Sequence, residues 1–167
     1  MGFLIYNRYM NFLIYFCAVW LGWVMVAGLI VYFFFTKKKI SVLRLIGLSS
    51  FSAGLAWVIT SLIKYNWPSP RPFEVINDLL PLFVTDTGDA FPSGHATFFG
   101  ALAVGVWLQK KKLGIIFIIG ALLVAIARVL AGVHWPADVI AGLAVGSLVS
   151  LIVYLVFNHF SAKIGHI

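Results

Sequence analysis

The sequence predicts an all-α, polytopic integral membrane bundle of about five transmembrane helices. Three observations predict it. Of the 167 residues, 62% are hydrophobic and 10% charged, and the mean hydropathy is +1.04; a soluble domain is about half apolar and about a quarter charged. The apolar residues gather into five runs, near 12–35, 43–63, 93–109, 113–131 and 137–158. Each run approaches the roughly 20 residues that cross a bilayer. The charged residues fall between the runs or at their ends.

The first run, Phe12 to Phe35, is longer than the apolar core of a signal peptide. It ends in Tyr32, Phe33, Phe34 and Phe35, with no small-residue cleavage site, so it is expected to stay as a membrane helix. The second run closes at Lys64. The segment Lys64–Phe91 differs in kind, with Pro68, Pro70, Pro72, Pro81, Glu74, Asp78, Asp86 and Asp89. Prolines at alternate positions forbid a regular helix. A loop outside the hydrocarbon is expected there, with a short helix near 74–81. Pro92-Ser93-Gly94-His95 opens the third run, 132–136 forms a turn after the fourth, and Pro136 starts the fifth. The whole of 1–167 reads as one membrane domain with its motif-bearing core at 43–158. Cys17 is the one cysteine, which excludes an intrachain disulfide.

Charge gives the orientation. Lys37, Lys38, Lys39 and Arg44 join runs one and two, Lys110, Lys111 and Lys112 join runs three and four, and Lys163 follows run five. Five spans put these on one side, which the positive-inside rule makes cytoplasmic. Glu74, Asp78, Asp86, Asp89 and Asp138 then lie outside, with Arg8, Lys64, Arg71 and Arg128. The net charge of +7 is thus a topology signal, and nucleic acid is excluded as a partner. A multi-pass protein of the plasma (inner) membrane is expected, with its site on the extracytoplasmic face.

The chemistry-bearing residues cluster on that outer side. Lys64, Arg71 and Arg128 come from three segments. Each alone reads as a side chain reaching for lipid headgroups. Together they suit a phosphate, with Arg as a bidentate fork and Lys as a point charge. A helix opening at Ser93-Gly94-His95 offers free N–H groups and a positive dipole end to an anion, and Gly94 allows close approach. An ordinary cap is the alternative reading of Ser93. A histidine in the first turn of a membrane helix is costly without a role. His134 stands just before Pro136, and Asp138 in the first turn behind it; a carboxylate there can orient one imidazole nitrogen and leave the other as nucleophile or base. The alternative is an acid favoured by the helix dipole. His95, His134 and Asp138 are also zinc-type ligands, but three nearby cations repel a divalent ion and attract an oxyanion.

Lys64 with Arg71-Pro72, then Pro92-Ser93-Gly94-His95, then Arg128, His134 and Asp138 resemble the three-part signature of the type 2 phosphatidic acid phosphatase family, KxxxxxxRP, PSGH and SRxxxxxHxxxD. Ala127 stands where the pattern has serine, a departure at an auxiliary position that removes a phosphate hydrogen bond. The resemblance implies a helical bundle like that of the vanadium-dependent haloperoxidases and glucose-6-phosphatase, and no metal or other cofactor. It implies His134 as the nucleophile that forms a phosphohistidine, Asp138 as its orienting partner and His95 as the general acid. It implies Lys64, Arg71, Ser93, Gly94 and Arg128 as holders of the phosphate oxygens. Membrane members commonly have six spans, so five predict one helix fewer, at the N-terminal end.

The expected activity is hydrolysis of a lipid phosphate or diphosphate, with undecaprenyl diphosphate favoured over phosphatidic acid, phosphatidylglycerol phosphate or lipid A phosphates. A neutral His134 with a protonated His95 predicts a bell-shaped pH profile. The alternatives are a lipid phosphotransferase with the same motifs and a transporter or flippase. Against the latter, the ionisable groups cluster at one face rather than at the midplane, and no inverted repeat is visible. Gly142 and Gly146 form a GxxxG pattern, read as packing inside the bundle, with homo-oligomer formation as the other reading. Trp67 and Trp135 read as interface anchors, or as lipid-substrate contacts. His159 and His166 carry no assigned role.

Overall fold

A computed structural model describes residues 8–83 and 89–164. Asp86 and His166, both placed by the sequence reading, lie outside the described residues. The helices are α1 (Arg8–Tyr15), which runs through a π-helical turn at Phe16–Trp20 into α2 (Leu21–Phe35), then α3 (Lys39–Asn66), α4 (Pro72–Val75), α5 (Gly94–Gln109), α6 (Lys111–Leu130) and α7 (Pro136–Ile164). The five predicted runs are all helical. Four are long and apolar enough to cross a membrane: Arg8–Phe35, Lys39–Asn66, Lys111–Leu130 and Pro136–Lys163. The fifth, α5, has 16 residues and at 1.5 Å per residue spans roughly 24 Å.

That short helix is the axis of the bundle. It packs against α3, α6 and α7, while α2 and the π turn lie against α6. Between helices in a bilayer, lipid is as apolar as leucine, so association rests on close van der Waals packing between small residues. Here Gly142 and Gly146 of α7 both face α5. A Cβ on Gly142 would stand 2.7 Å from the Ser93 carbonyl oxygen, and one on Gly146 would overlap the Thr97 carbonyl and stand 2.8 Å from the Ala101 nitrogen. The GxxxG pattern is therefore an internal contact. Gly105 lets α5 meet α3 and α7 together: a Cβ there would stand 2.9 Å from both the Ser49 and Ser150 hydroxyls. The core is built from Leu45, Ala53, Ala56, Leu102, Val106 and Val124. Large apolar side chains such as Trp23, Phe51, Ile116 and Ile152 remain exposed on the outside of the bundle, as a lipid-facing surface requires.

Two tight connections set the lysine-bearing end. Helix α2 stops at Thr36, which turns extended at ψ 144°. The Lys39 ammonium returns to the carbonyls of Phe33 and Phe34 at 2.7 and 2.9 Å, satisfying orphan acceptors of the helix end. At the other hairpin Lys110 alone separates α5 from α6, and Gly114 sits directly on Trp107.

The short helix in the proline-rich segment lies at Pro72–Val75, not near 74–81. Pro72 supplies the fixed φ of a first helical position, and Glu74 accepts the Arg71 backbone N–H at 2.6 Å. Ile76 is extended (ψ 110°) and Asp78 is left-handed (φ 67°), so the chain cannot continue helically toward Pro81.

The α5–α7 contact carries a testable consequence. Gly146→Ala forces backbone against backbone and is expected to destabilise the detergent-solubilised protein by about 1–3 kcal/mol. Ile152→Ala, on the exposed surface of the same helix, is expected to leave the unfolding midpoint nearly unchanged. Equal midpoints for the two variants would overturn the packing assignment.

Candidate active site

The residues singled out by sequence meet at the end of the bundle that carries 67–92 and the α6–α7 turn. That turn is short because Gly132 adopts φ 74°, a left-handed conformation that glycine takes without steric cost. Its N–H returns to the Val129 carbonyl at 2.9 Å, and the Val133 N–H to that of Arg128 at 3.3 Å. The turn delivers His134 buried, at 3% exposure, directly ahead of α7.

Asp138 holds this turn. Its Oδ2 accepts the Trp135 backbone N–H at 2.8 Å and lies 3.3 Å from His134 Nδ1. Its own backbone carbonyl accepts the Ser93 N–H at 2.9 Å. One residue thus orients the imidazole, caps α7 and ties α7 to the start of α5. The imidazole pKa is held below the ordinary histidine value, first by burial and then by the Arg128 and Arg71 charges, against the opposing bond to Asp138.

Three cations surround the pair. Arg71 is buried, and its Nη1 donates to the Val133 carbonyl at 3.0 Å. Arg128 is buried at the end of α6, its guanidinium 5.2 Å from the Phe83 ring centre. The Lys64 ammonium donates to the main-chain carbonyl of Asp89, a left-handed residue at φ 51°. His95, at the first turn of α5, is exposed and lies within the fields of Arg128, His134, Arg71 and Lys64. Main-chain carbonyls thus fix two of the three cations.

Ser93 does not cap α5: its hydroxyl makes no capping bond and is buried with no partner among the described residues, as is Arg128 Nε. Buried donors of this kind call for an explanation. The first-turn N–H groups of Gly94, His95 and Ala96 precede the first helical bond, from Thr97 to Ser93. The site therefore gathers donors and positive charge, which is a chemistry for an oxyanion. Among the described residues no three His, Cys, Asp or Glu side chains group closely enough to ligate a metal.

Trp57, Thr60 and Thr97 had no signal in the sequence, and Trp135 and Ala127 make contacts that it did not predict. Trp57 of α3 brings its indole nitrogen 3.8 Å from where a Gly94 Cβ would stand. Thr60 bonds Thr97 at 3.0 Å across α3 and α5. Trp135 donates through Nε1 to the Pro70 carbonyl at 3.0 Å, so it is a strut of the loop rather than a simple interface anchor. Ala127 packs in an apolar cluster with Ile14, Ala18 and Val133. Beside the site a cavity of about 330 Å³ opens between α6 and α7, lined by apolar residues including Ala125, Val129, Pro136, Val139 and Leu143.

Comparison with known proteins gives relatives of one kind. The chain is 37% identical over 132 residues to an undecaprenyl-diphosphatase of Sulfolobus acidocaldarius, covering 78% of this chain and 61% of that protein. It is 27% identical over 145 residues to the bacitracin transport permease protein BcrC of Bacillus licheniformis, covering 87% of this chain and 70% of that one. The crystal structure of Aquifex aeolicus LpxE matches with a TM-score of 0.73 at 27% identity, over 90% of this chain and 88% of that one. Residues 42–161 match the PAP2 superfamily; this span takes in every residue of the cation-lined mouth from Lys64 to Asp138, and the chain belongs to that superfamily.

Proposed function

We propose that this membrane protein is a phosphatase that hydrolyses a lipid phosphate or diphosphate, without a metal, through a phosphohistidine on His134. The observation that carries the reading is the His134–Asp138 pair set among Lys64, Arg71 and Arg128. With Nδ1–H donating to Asp138, His134 Nε2 carries the lone pair that attacks phosphorus. The P–O bond to the lipid breaks, and His95 gives its proton to the leaving oxygen. Water then attacks phosphorus, passes a proton to His95 and releases phosphate as the P–N bond breaks. Charge on the equatorial oxygens is met by Lys64, Arg71, Arg128, the Ser93 hydroxyl and the N–H of Gly94.

A lipid substrate is supported by the apolar cavity between α6 and α7, whose lining residues Val129 and Val139 follow Arg128 and Asp138 in the chain. Undecaprenyl diphosphate is the favoured substrate, in line with the name of the Sulfolobus relative; phosphatidic acid and phosphatidylglycerol phosphate share the needed chemistry. The positive-inside rule puts the lysine-bearing end in the cytoplasm of a plasma membrane and the mouth outside. The permease name of a second relative keeps transport as the competing reading, and transfer to an acceptor other than water would use the same residues.

The decisive test is phosphate release by the purified protein from a lipid panel in the presence of EDTA. His134→Ala is expected to lower release by about 10³-fold or more. Undiminished release by the variant, or none by the wild type on any lipid, would remove the catalytic reading and favour transport. Retention of ³²P on the wild-type protein and not on the variant would report the covalent intermediate.

Arg128→Gln is expected to lower kcat/KM by about 10²–10³-fold. It also removes a charge that depresses the His134 pKa. A depressed pKa keeps His134 neutral, and competent, into more acidic solution. The acid limb of the wild-type kcat/KM profile is therefore expected below the ordinary histidine value of about 6.5. In Arg128→Gln the limb should move up toward that value, and in Asp138→Asn, which loses the opposing bond, further down. Coincident acid limbs in all three proteins would exclude His134 as the titrating base.

A further inference from the structure

At the end opposite the active-site mouth, α3, α5, the Lys110 link and α7 border a polar cavity of about 220 Å³, lined by Ser41, Arg44, Leu45, Gln109, Lys110 and Tyr154. Its wall is fixed. The Arg44 guanidinium donates to Asn158 Oδ1 at 2.6 Å and lies 4.8 Å from the Phe157 ring centre. Gln109 Nε2 is engaged with the carbonyls of Leu45 and Gly105 and the Ser49 hydroxyl, at 3.4, 3.1 and 3.4 Å. Two other cations at this end have partners of their own: Lys39 bonds the Phe33 and Phe34 carbonyls, and Lys111 lies on the Trp107 ring. The Lys110 ammonium and the Ser41 and Tyr154 hydroxyls line the cavity and have no hydrogen bond of their own among the described residues.

No acid side chain lines this cavity. The chain's five acids are Glu74, Asp78, Asp86, Asp89 and Asp138. None lies before residue 74 or after 138, and none lies in 90–137. The helices that build the cavity therefore hold no acid except Asp138, which sits at the far end of α7 in the active-site mouth. A pocket with one oriented cation, Arg44, one unbonded cation, Lys110, two hydroxyl donors and no acid side chain is complementary to an anion. Basic pockets between membrane helices on the positively charged side commonly hold lipid headgroups.

We propose that this cavity is a second anion site, separate from the catalytic mouth, that takes the phosphate of an anionic lipid headgroup from the adjoining leaflet. Arg44 supplies the oriented fork, Lys110 the second charge, and Ser41 and Tyr154 the neutral donors. The same donors would accept free inorganic phosphate, and the test separates the two sources.

The full-length protein in neutral detergent would be titrated with phosphatidylglycerol and, separately, with inorganic phosphate, with bound species counted by native mass spectrometry. The catalytic mouth also takes phosphate, so the signal is the difference between wild type and variants altered only at the cavity. Lys110→Gln and Arg44→Gln are each expected to weaken phosphatidylglycerol binding about fivefold, whereas Lys37→Gln and Lys112→Gln, exposed cations of the same end outside the cavity, should change it less than about twofold. Lys110 has no internal side-chain bond to lose, so its variant keeps the test valid should Arg44→Gln fold poorly. Phosphate release at the opposite mouth should be unchanged in Lys110→Gln. A fivefold loss for inorganic phosphate with none for the lipid would support the site and assign it to the free anion. Equal weakening by all four variants, or by none of them with either ligand, would overturn the proposal.

Discussion

Asp138 is the point on which the site and the fold both depend. Its carboxylate receives the Trp135 N–H and faces His134, and its carbonyl receives the Ser93 N–H. An imidazole held only by its own turn would drift with the turn. Here the residue that orients it is bonded through its carbonyl to Ser93, directly ahead of α5. That main-chain bond, with the close packing of Gly142 and Gly146 on α5, sets the distance between His134 on one side of the mouth and Ser93 to His95 on the other.

Around that bond the chain gathers the positive charge of Lys64, Arg71 and Arg128. Burying a charge is tolerable when hydrogen bonds replace water. Arg71 and Lys64 find main-chain carbonyls for this purpose. A carbonyl satisfies a donor without cancelling its charge, whereas a carboxylate would do both and would compete with any arriving anion. Asp138, the one buried acid of the mouth among the described residues, spends its Oδ2 on the His134 ring and the Trp135 N–H. Among the described residues the Ser93 hydroxyl and Arg128 Nε have no partner. The depressed pKa of His134 follows first from its burial and then from the Arg128 and Arg71 cations, which draw an anion in and also keep the imidazole neutral.

The legible parts of this structure are those that the bilayer or a single turn dictates. Lipid demands long apolar runs, so the five helices could be read directly, and lysines marked their common end. His134 and Asp138 are four residues apart across a proline-started helix, a spacing that local geometry resolves. What escaped depends on partners distant in sequence. Whether Ser93 caps its helix is decided by α7, whose Asp138 carbonyl takes the serine N–H while the hydroxyl stays uncapped. The contacts of Trp135 with Pro70, Thr60 with Thr97 and Arg128 with Phe83 span 65, 37 and about 45 residues. The short helix slid to Pro72–Val75 because Asp78 turns left-handed, a local backbone choice with no periodic signature.

The length of α5 links the two ends of the molecule. Its 16 residues are flanked by α3 with 28 and α7 with 29, so the outer helices overrun the central one. A bundle whose middle element is short leaves a hollow at each end. At one end the hollow meets the N-terminus of α5, with free N–H groups, His95 and the cations of the mouth. At the other it meets the C-terminus, where Gln109 and Lys110 border the cavity that Arg44 and Tyr154 close. Helix polarity alone would make the first hollow favour anions and the second favour cations. Arg44 and Lys110 reverse that preference at the second, in a part of the chain that contains no acid. Cations at a helix C-terminus complement its dipole, and beyond neutralising the end of α5 they leave the hollow positively charged.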